Sequence, residues 1–86
     1  MASSSPDADK KLSPVDREVG LALRNLRIAR GLSQAELAAQ IGVGAVEIEN
    51  HELGLVRIDV RRLIDLAHAL QAPVSAFWSG IRGAGR

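Results

Sequence analysis

Gly31, Gly42 and Gly54 divide the middle of this chain into two segments that are each too short to be a stable helix alone. Each glycine follows residues with helical periodicity and can take the left-handed backbone that stops a helix. The first segment opens on Ser33-Gln34-Ala35-Glu36, where Ser33 and Glu36 have the spacing of a capping box. Its apolar residues, Leu37, Ala38 and Ile41, share one face. Roughly eight residues do not hold a helix in water, so tertiary packing must hold this one. Gly42-Val43-Gly44 follows as a tight turn, and Val43 is placed to plug the angle between two helices. The second segment runs from about Ala45 to Leu53, with Ile48 facing inward.

The flanking sequence supplies the rest of a helical domain. Ser13, Pro14 and Asp16 mark a helix start, and Val15, Val19, Leu23 and Leu26 follow as one apolar stripe. Past Gly54, a connector from Leu55 to Ile58 leads to Asp59, a cap for a fourth helix with Leu63, Leu66, Ala67 and Leu70 on its inner face. Pro73 lies beyond that helix, and a short fifth helix, Val74 to Ser79, carries Phe77 and Trp78. With 86 residues there is room for one domain, and 47% hydrophobic but 2% aromatic residues imply an aliphatic, helix-favouring core. The expected fold is all-α, a compact five-helix domain over residues 13–80. Residues 1–12 read as a disordered tail and 81–86 as a flexible basic one.

Several chemistries find no support in the sequence. There is no cysteine, so disulfides and thiolate metal sites are excluded and a reducing compartment is expected. No apolar run approaches the ~20 residues of a membrane span, and Ser3 to Lys11 lacks a signal-peptide core, so a cytoplasmic protein is expected. His51 and His68 have no acidic cluster at ligand spacing, so neither a metal nor another cofactor is expected. His68 reads as surface or interface. No Ser, His and carboxylate grouping suggests a nucleophile, and the glycines lack the strand-glycine-helix context of a phosphate loop, so no enzyme is expected.

Two short helices joined by a glycine turn form the helix-turn-helix pattern. The string Leu23-Arg24-Asn25-Leu26-Arg27, then Gly31-Leu32-Ser33-Gln34, Leu37-Ala38, Gly42-Val43, Ile48, Glu52 and Gly54, resembles the Cro/phage-repressor (XRE) family. Leu66-Ala67, Leu70 and Pro73-Val74-Ser75 resemble the later part of the same domain, so the likeness covers about residues 15–80. The resemblance implies a dimeric, DNA-binding transcriptional regulator whose helix 3 (about 45–53) enters the major groove while helix 2 crosses the phosphates. On that basis Gln34 would meet a phosphate, and Ala45, Val46, Glu47 and Asn50 would face base edges. The resemblance also implies that Arg27 and Glu52 pair as a structural brace, that His51 is a semi-buried packing residue, and that the region of Phe77 and Trp78 joins two copies.

The residues themselves qualify that expectation. Asn50 can bond adenine bidentately, Ala45 and Val46 can touch thymine methyls, and Glu47 can accept from cytosine N4 but repels phosphates. Phosphate neutralisation falls to Arg57, Arg61 and Arg62, with Arg24, Arg30 and the tail pairs Lys10-Lys11 and Arg82-Arg86 as further candidates. None of the 11 Lys and Arg residues lies between Gly31 and Val56, whereas Glu36, Glu47, Glu49 and Glu52 do. Leu53, Leu55 and Val56 either tuck beside helix 4 or form an apolar tip offered to a partner. An alternative therefore stands beside DNA binding: a degenerate helix-turn-helix that binds another regulator, a toxin or RNA polymerase through its acidic helix 3 and the 53–56 loop.

Overall fold

The computed structural model describes residues 14–78. The expected Ser13 cap, Ser79 and both tails lie outside the described residues. Four α-helices, α1 (Pro14–Ala29), α2 (Gln34–Ile41), α3 (Ala45–Glu52) and α4 (Val60–Leu70), are followed by a 3₁₀ helix, Val74–Trp78. No strand occurs among the described residues. The expected fifth α-helix is thus a single tight turn. The described helix after Pro73 has five residues, and the Ala76 N–H closes a three-residue bond onto the Pro73 carbonyl at 2.9 Å, the pattern short segments favour.

Local chemistry sets the boundaries. Ser33 Oγ accepts from the Glu36 N–H at 2.9 Å while Glu36 Oε1 accepts from the Ser33 N–H at 2.8 Å, so both halves of the capping box are made. Asp59 Oδ1 caps α4 by accepting from the Arg62 N–H at 2.8 Å. At the end of α2, Gly42 has φ 77° and lets the Val43 N–H reach back to the Ala38 carbonyl at 3.0 Å. That bend tucks Val43 against the core.

One helix end departs from the glycine rule. α4 terminates on Gln71 in the left-handed region, φ 54°. Arg30 covers this end, its Nε donating to the Leu70 carbonyl at 2.7 Å and its Nη2 to the Gln71 carbonyl at 2.9 Å. A side chain in this conformation costs about 1–2 kcal/mol, partly offset by the entropy a glycine loses on folding. Gln71→Gly is accordingly expected to stabilise the domain by up to ~1 kcal/mol, read as a rise in thermal midpoint of a few degrees.

The core comprises Val19, Leu23, Leu37, Ala38, Ile48, Leu63, Leu66, Ala67, Leu70 and Phe77. The four residues expected on the inner face of α4 are all buried. Val15, expected on the stripe of α1, is instead half exposed. α1 crosses the end of α3 so closely that a Cβ on Gly20 would stand 2.2 Å from the His51 carbonyl oxygen and 2.8 Å from that of Glu52. Sequence periodicity did not mark Gly20 as special.

Candidate nucleic-acid interface

The orientation of α3 is fixed at its last residue. The side chain of Glu52 is almost wholly buried and its carboxylate accepts from Arg27 Nε and from Arg27 Nη2, the latter at 3.1 Å. Gln34 Nε2 donates to the same carboxylate at 2.9 Å, and Arg27 Nη1 donates to the Leu32 carbonyl at 2.8 Å. One acidic group therefore joins the end of α1, the start of α2 and the end of α3. The hydrogen bond to Glu52 raises the Arg27 pKa above its already high ordinary value, partial burial works against this, and the charge of Glu52 adds to the rise.

Around the circumference of α3, side chains divide sharply. Ile48, His51 and Glu52 point inward and are buried. Val46, Glu47 and Glu49 are exposed, and Ala45 and Asn50 are half-buried. The residues proposed to face base edges thus share one outward surface, and Gly44 at its start makes no side-chain cap bond. Gln34, expected to meet a phosphate, stands half-buried at the start of α2 with its amide engaged by Glu52.

The arginines behave differently from the sequence expectation, because each has found a carboxylate. Arg57 pairs with Asp16 at 3.2 Å, Arg61 with Asp65 at 3.8 Å, and Arg62 with Glu47 at 3.1 Å. The Arg61–Asp65 pair is exposed and worth ~0–1 kcal/mol, so a phosphate could displace that carboxylate at small cost, whereas Arg57 is exposed but its partner Asp16 is mostly covered. Arg30, by contrast, is committed to the end of α4. His51 is buried, and its Nδ1–H donates to the Val56 carbonyl at 3.0 Å, since a carbonyl can only accept.

Leu53, Leu55 and Val56 do not tuck beside α4: they are 54%, 59% and 45% exposed and form an apolar tip next to α3. Phe77 and Trp78 part company. Phe77 is fully buried in the core and offers no surface for the expected dimer contact, because its neighbours on α1 and α4 enclose it; Trp78 is 41% exposed. Among the described residues no group of three His, Asp or Glu could hold a metal ion, and no helix is long and apolar enough to cross a membrane.

The frame and the outward face of α3 can be set beside known proteins. The helix-turn-helix family profile matches residues 23–77. This chain belongs to that Cro/repressor-type family. An uncharacterized transcriptional regulator in the ATPase CF(0) region of Rhodospirillum rubrum is 39% identical over 88% of the chain and 71% of its own length. Other curated relatives, 30–34% identical, are spanned over only 54–60% of their length. Among solved structures, the restriction-modification controller protein C.AhdI from Aeromonas hydrophila aligns with TM-score 0.68 and 31% identity, over 71% of this chain and 92% of that one. The DNA-binding domain of BldD aligns with TM-score 0.70 and 28% identity, over 78% of this chain and 97% of that one.

Proposed function

We propose that this helix-turn-helix chain is a DNA-binding transcriptional regulator that places the outward face of α3 in the major groove and acts as a symmetric dimer. The observation that carries this reading is the rigid presentation of α3. Glu52, Arg27 and Gln34 lock its far end, while Val46, Glu47 and Asn50 lie outside the buried set of α3. The likeness to regulators and to a DNA-binding domain supports it. Ala45, Val46, Glu47 and Asn50 would read bases; the start of α2 at Gln34 and the arginines at 57 and 61 would meet phosphates. Asn50 is the strongest single reader, so Asn50→Ala is expected to lose ~1–3 kcal/mol of discrimination at one base pair. Titration of selected duplexes at several salt concentrations measures both this loss and the phosphate count, through a slope near −0.9 per contact. Salt-independent or undetectable binding would exclude the reading.

Of the two bulky aromatic residues of the 3₁₀ helix, Trp78 is the one with surface to offer a second copy. Sedimentation at micromolar concentration is expected to show a dimer, shifted toward monomer by Trp78→Ala; a monomeric parent protein would count against this.

A protein-binding role is the second reading, favoured by the exposed apolar tip at Leu53, Leu55 and Val56 and by the carboxylates on α3. The two readings separate on one double variant. Glu47→Lys with Glu49→Lys is expected to strengthen sequence-independent DNA binding, by placing positive charge near the phosphates, and to abolish capture of a protein held by those acids.

A further inference from the structure

We propose that Arg62 is a positioning residue that aims the Glu47 carboxylate at the exocyclic amino group of a cytosine, so that each half-site carries a C·G pair at one fixed position. This rests on the DNA-binding reading above. Arg62 differs from the other two arginines of its region in how firmly it is held. The side chains of Arg57 and Arg61 are 76% and 86% exposed, whereas that of Arg62 is 26% exposed. Its backbone sits in the first turn of α4, capped by Asp59. Its Nη1 lies 3.1 Å from Glu47 Oε2 and 3.5 Å from His51 Nε2. The ring of His51 is itself fixed by burial and by its bond to the Val56 carbonyl. One guanidinium nitrogen thus lies against a buried ring while it holds the carboxylate.

The consequence for Glu47 is chemical. With Oε2 held by Arg62, Oε1 remains an acceptor in the first turn of α3, the part proposed to enter the groove. In the major groove guanine shows only acceptors, thymine an acceptor and a methyl, and adenine a donor beside the N7 acceptor that repels a carboxylate. Cytosine shows the N4 amino group alone. The charge of Arg62, a few ångströms from the carboxylate, also offsets the repulsion Glu47 would feel from phosphates. An acidic residue on a reading helix becomes a usable reader because α4 supplies the counter-charge.

The test is selection from a randomised duplex pool with the full 86-residue chain and its variants, followed by affinities for all four bases at each selected position. The parent chain is expected to select cytosine at one position per half-site by roughly five- to tenfold. Glu47→Gln should move that single position toward adenine, which a side-chain amide bonds bidentately. Arg62→Ala should flatten the same position and no other, and should add nothing to the preference of the Glu47→Gln variant. Arg62→Gln, which keeps bulk over His51, is made alongside, and the member of the pair with a cooperative melt carries the comparison. Uniform weakening on every sequence, with the cytosine preference intact and the salt slope reduced by about one, would make Arg62 a phosphate contact and overturn the proposal. A selected site with no position sensitive to Glu47→Gln would overturn it as well. Enrichment of nothing by the parent chain would overturn the DNA-binding reading itself, a different failure from either of these.

Discussion

Replacing Glu52 with alanine is expected to cost about 3–5 kcal/mol and to leave a substantial fraction of the protein unfolded at 25 °C. The size follows from what remains behind. Arg27 is mostly covered, with a side-chain exposure of 11%, and its guanidinium loses a two-pronged acceptor. The Gln34 amide loses its partner in the same step. A domain of this size has a total stability of roughly 0.05–0.15 kcal/mol per residue, so the loss is comparable with the whole. Glu52→Gln keeps the shape and one acceptor oxygen, and should fall between the parent and Glu52→Ala. Urea titration at constant slope measures the order of the three. DNA affinity should fall only with the folded fraction. An alanine variant as stable as the parent to within ~1 kcal/mol, yet unable to bind DNA, would mean that Glu52 contacts the ligand and does not brace the fold.

Gly20→Ala is expected to destabilise by a net ~2–3 kcal/mol, although alanine is the better helix former by about 1 kcal/mol. The new methyl group would meet the carbonyl oxygens of His51 and Glu52, at 2.2 and 2.8 Å. These are backbone atoms at the end of a helix and have no rotamer to yield, so α1 and α3 must separate. Gly31 offers a contrast that tests the cause. No atom lies within 4 Å of its would-be Cβ, but its φ is +73°, so alanine there meets only the conformational cost, ~1–2 kcal/mol. Denaturant midpoints for the two variants should rank Gly20→Ala below Gly31→Ala. Because Gly20 and Glu52 act on one helix crossing, the double variant should lose less than the sum of the singles.

What the sequence revealed and what it hid follow from distance along the chain. Ser33 with Glu36, Asp59 with the Arg62 N–H, and Gly42 with Val43 act over three to five residues, and their geometry is dictated by the helix itself. Such features are legible in any order of reading. The Arg27–Glu52 pair spans 25 residues, and only the family resemblance suggested it; the Gln34 bond to Glu52 was not anticipated at all. Arg57 and Asp16 stand 41 positions apart, so counting cations in sequence overestimated what was unpaired. Gly20 was overlooked because a glycine needed for close approach leaves no periodic signal. The terminal helix showed two bulky residues and one short element, but which of Phe77 and Trp78 turned inward depended on the packing of α1 and α4.

The sharp division of α3 into a held side and an outward side carries an evolutionary consequence. Ile48, His51 and Glu52 bear the mechanical load, and none of them belongs to the set facing away from the core. Substitutions at Val46, Glu49 and Asn50 therefore alter what the surface recognises while leaving the scaffold's folding energy nearly constant. Recognition in such a molecule can drift, or be deliberately rewritten, by exchanging a few side chains at a time. Glu47 is the exception, because its tie to Arg62 obliges a change on one helix to be answered by a change on another.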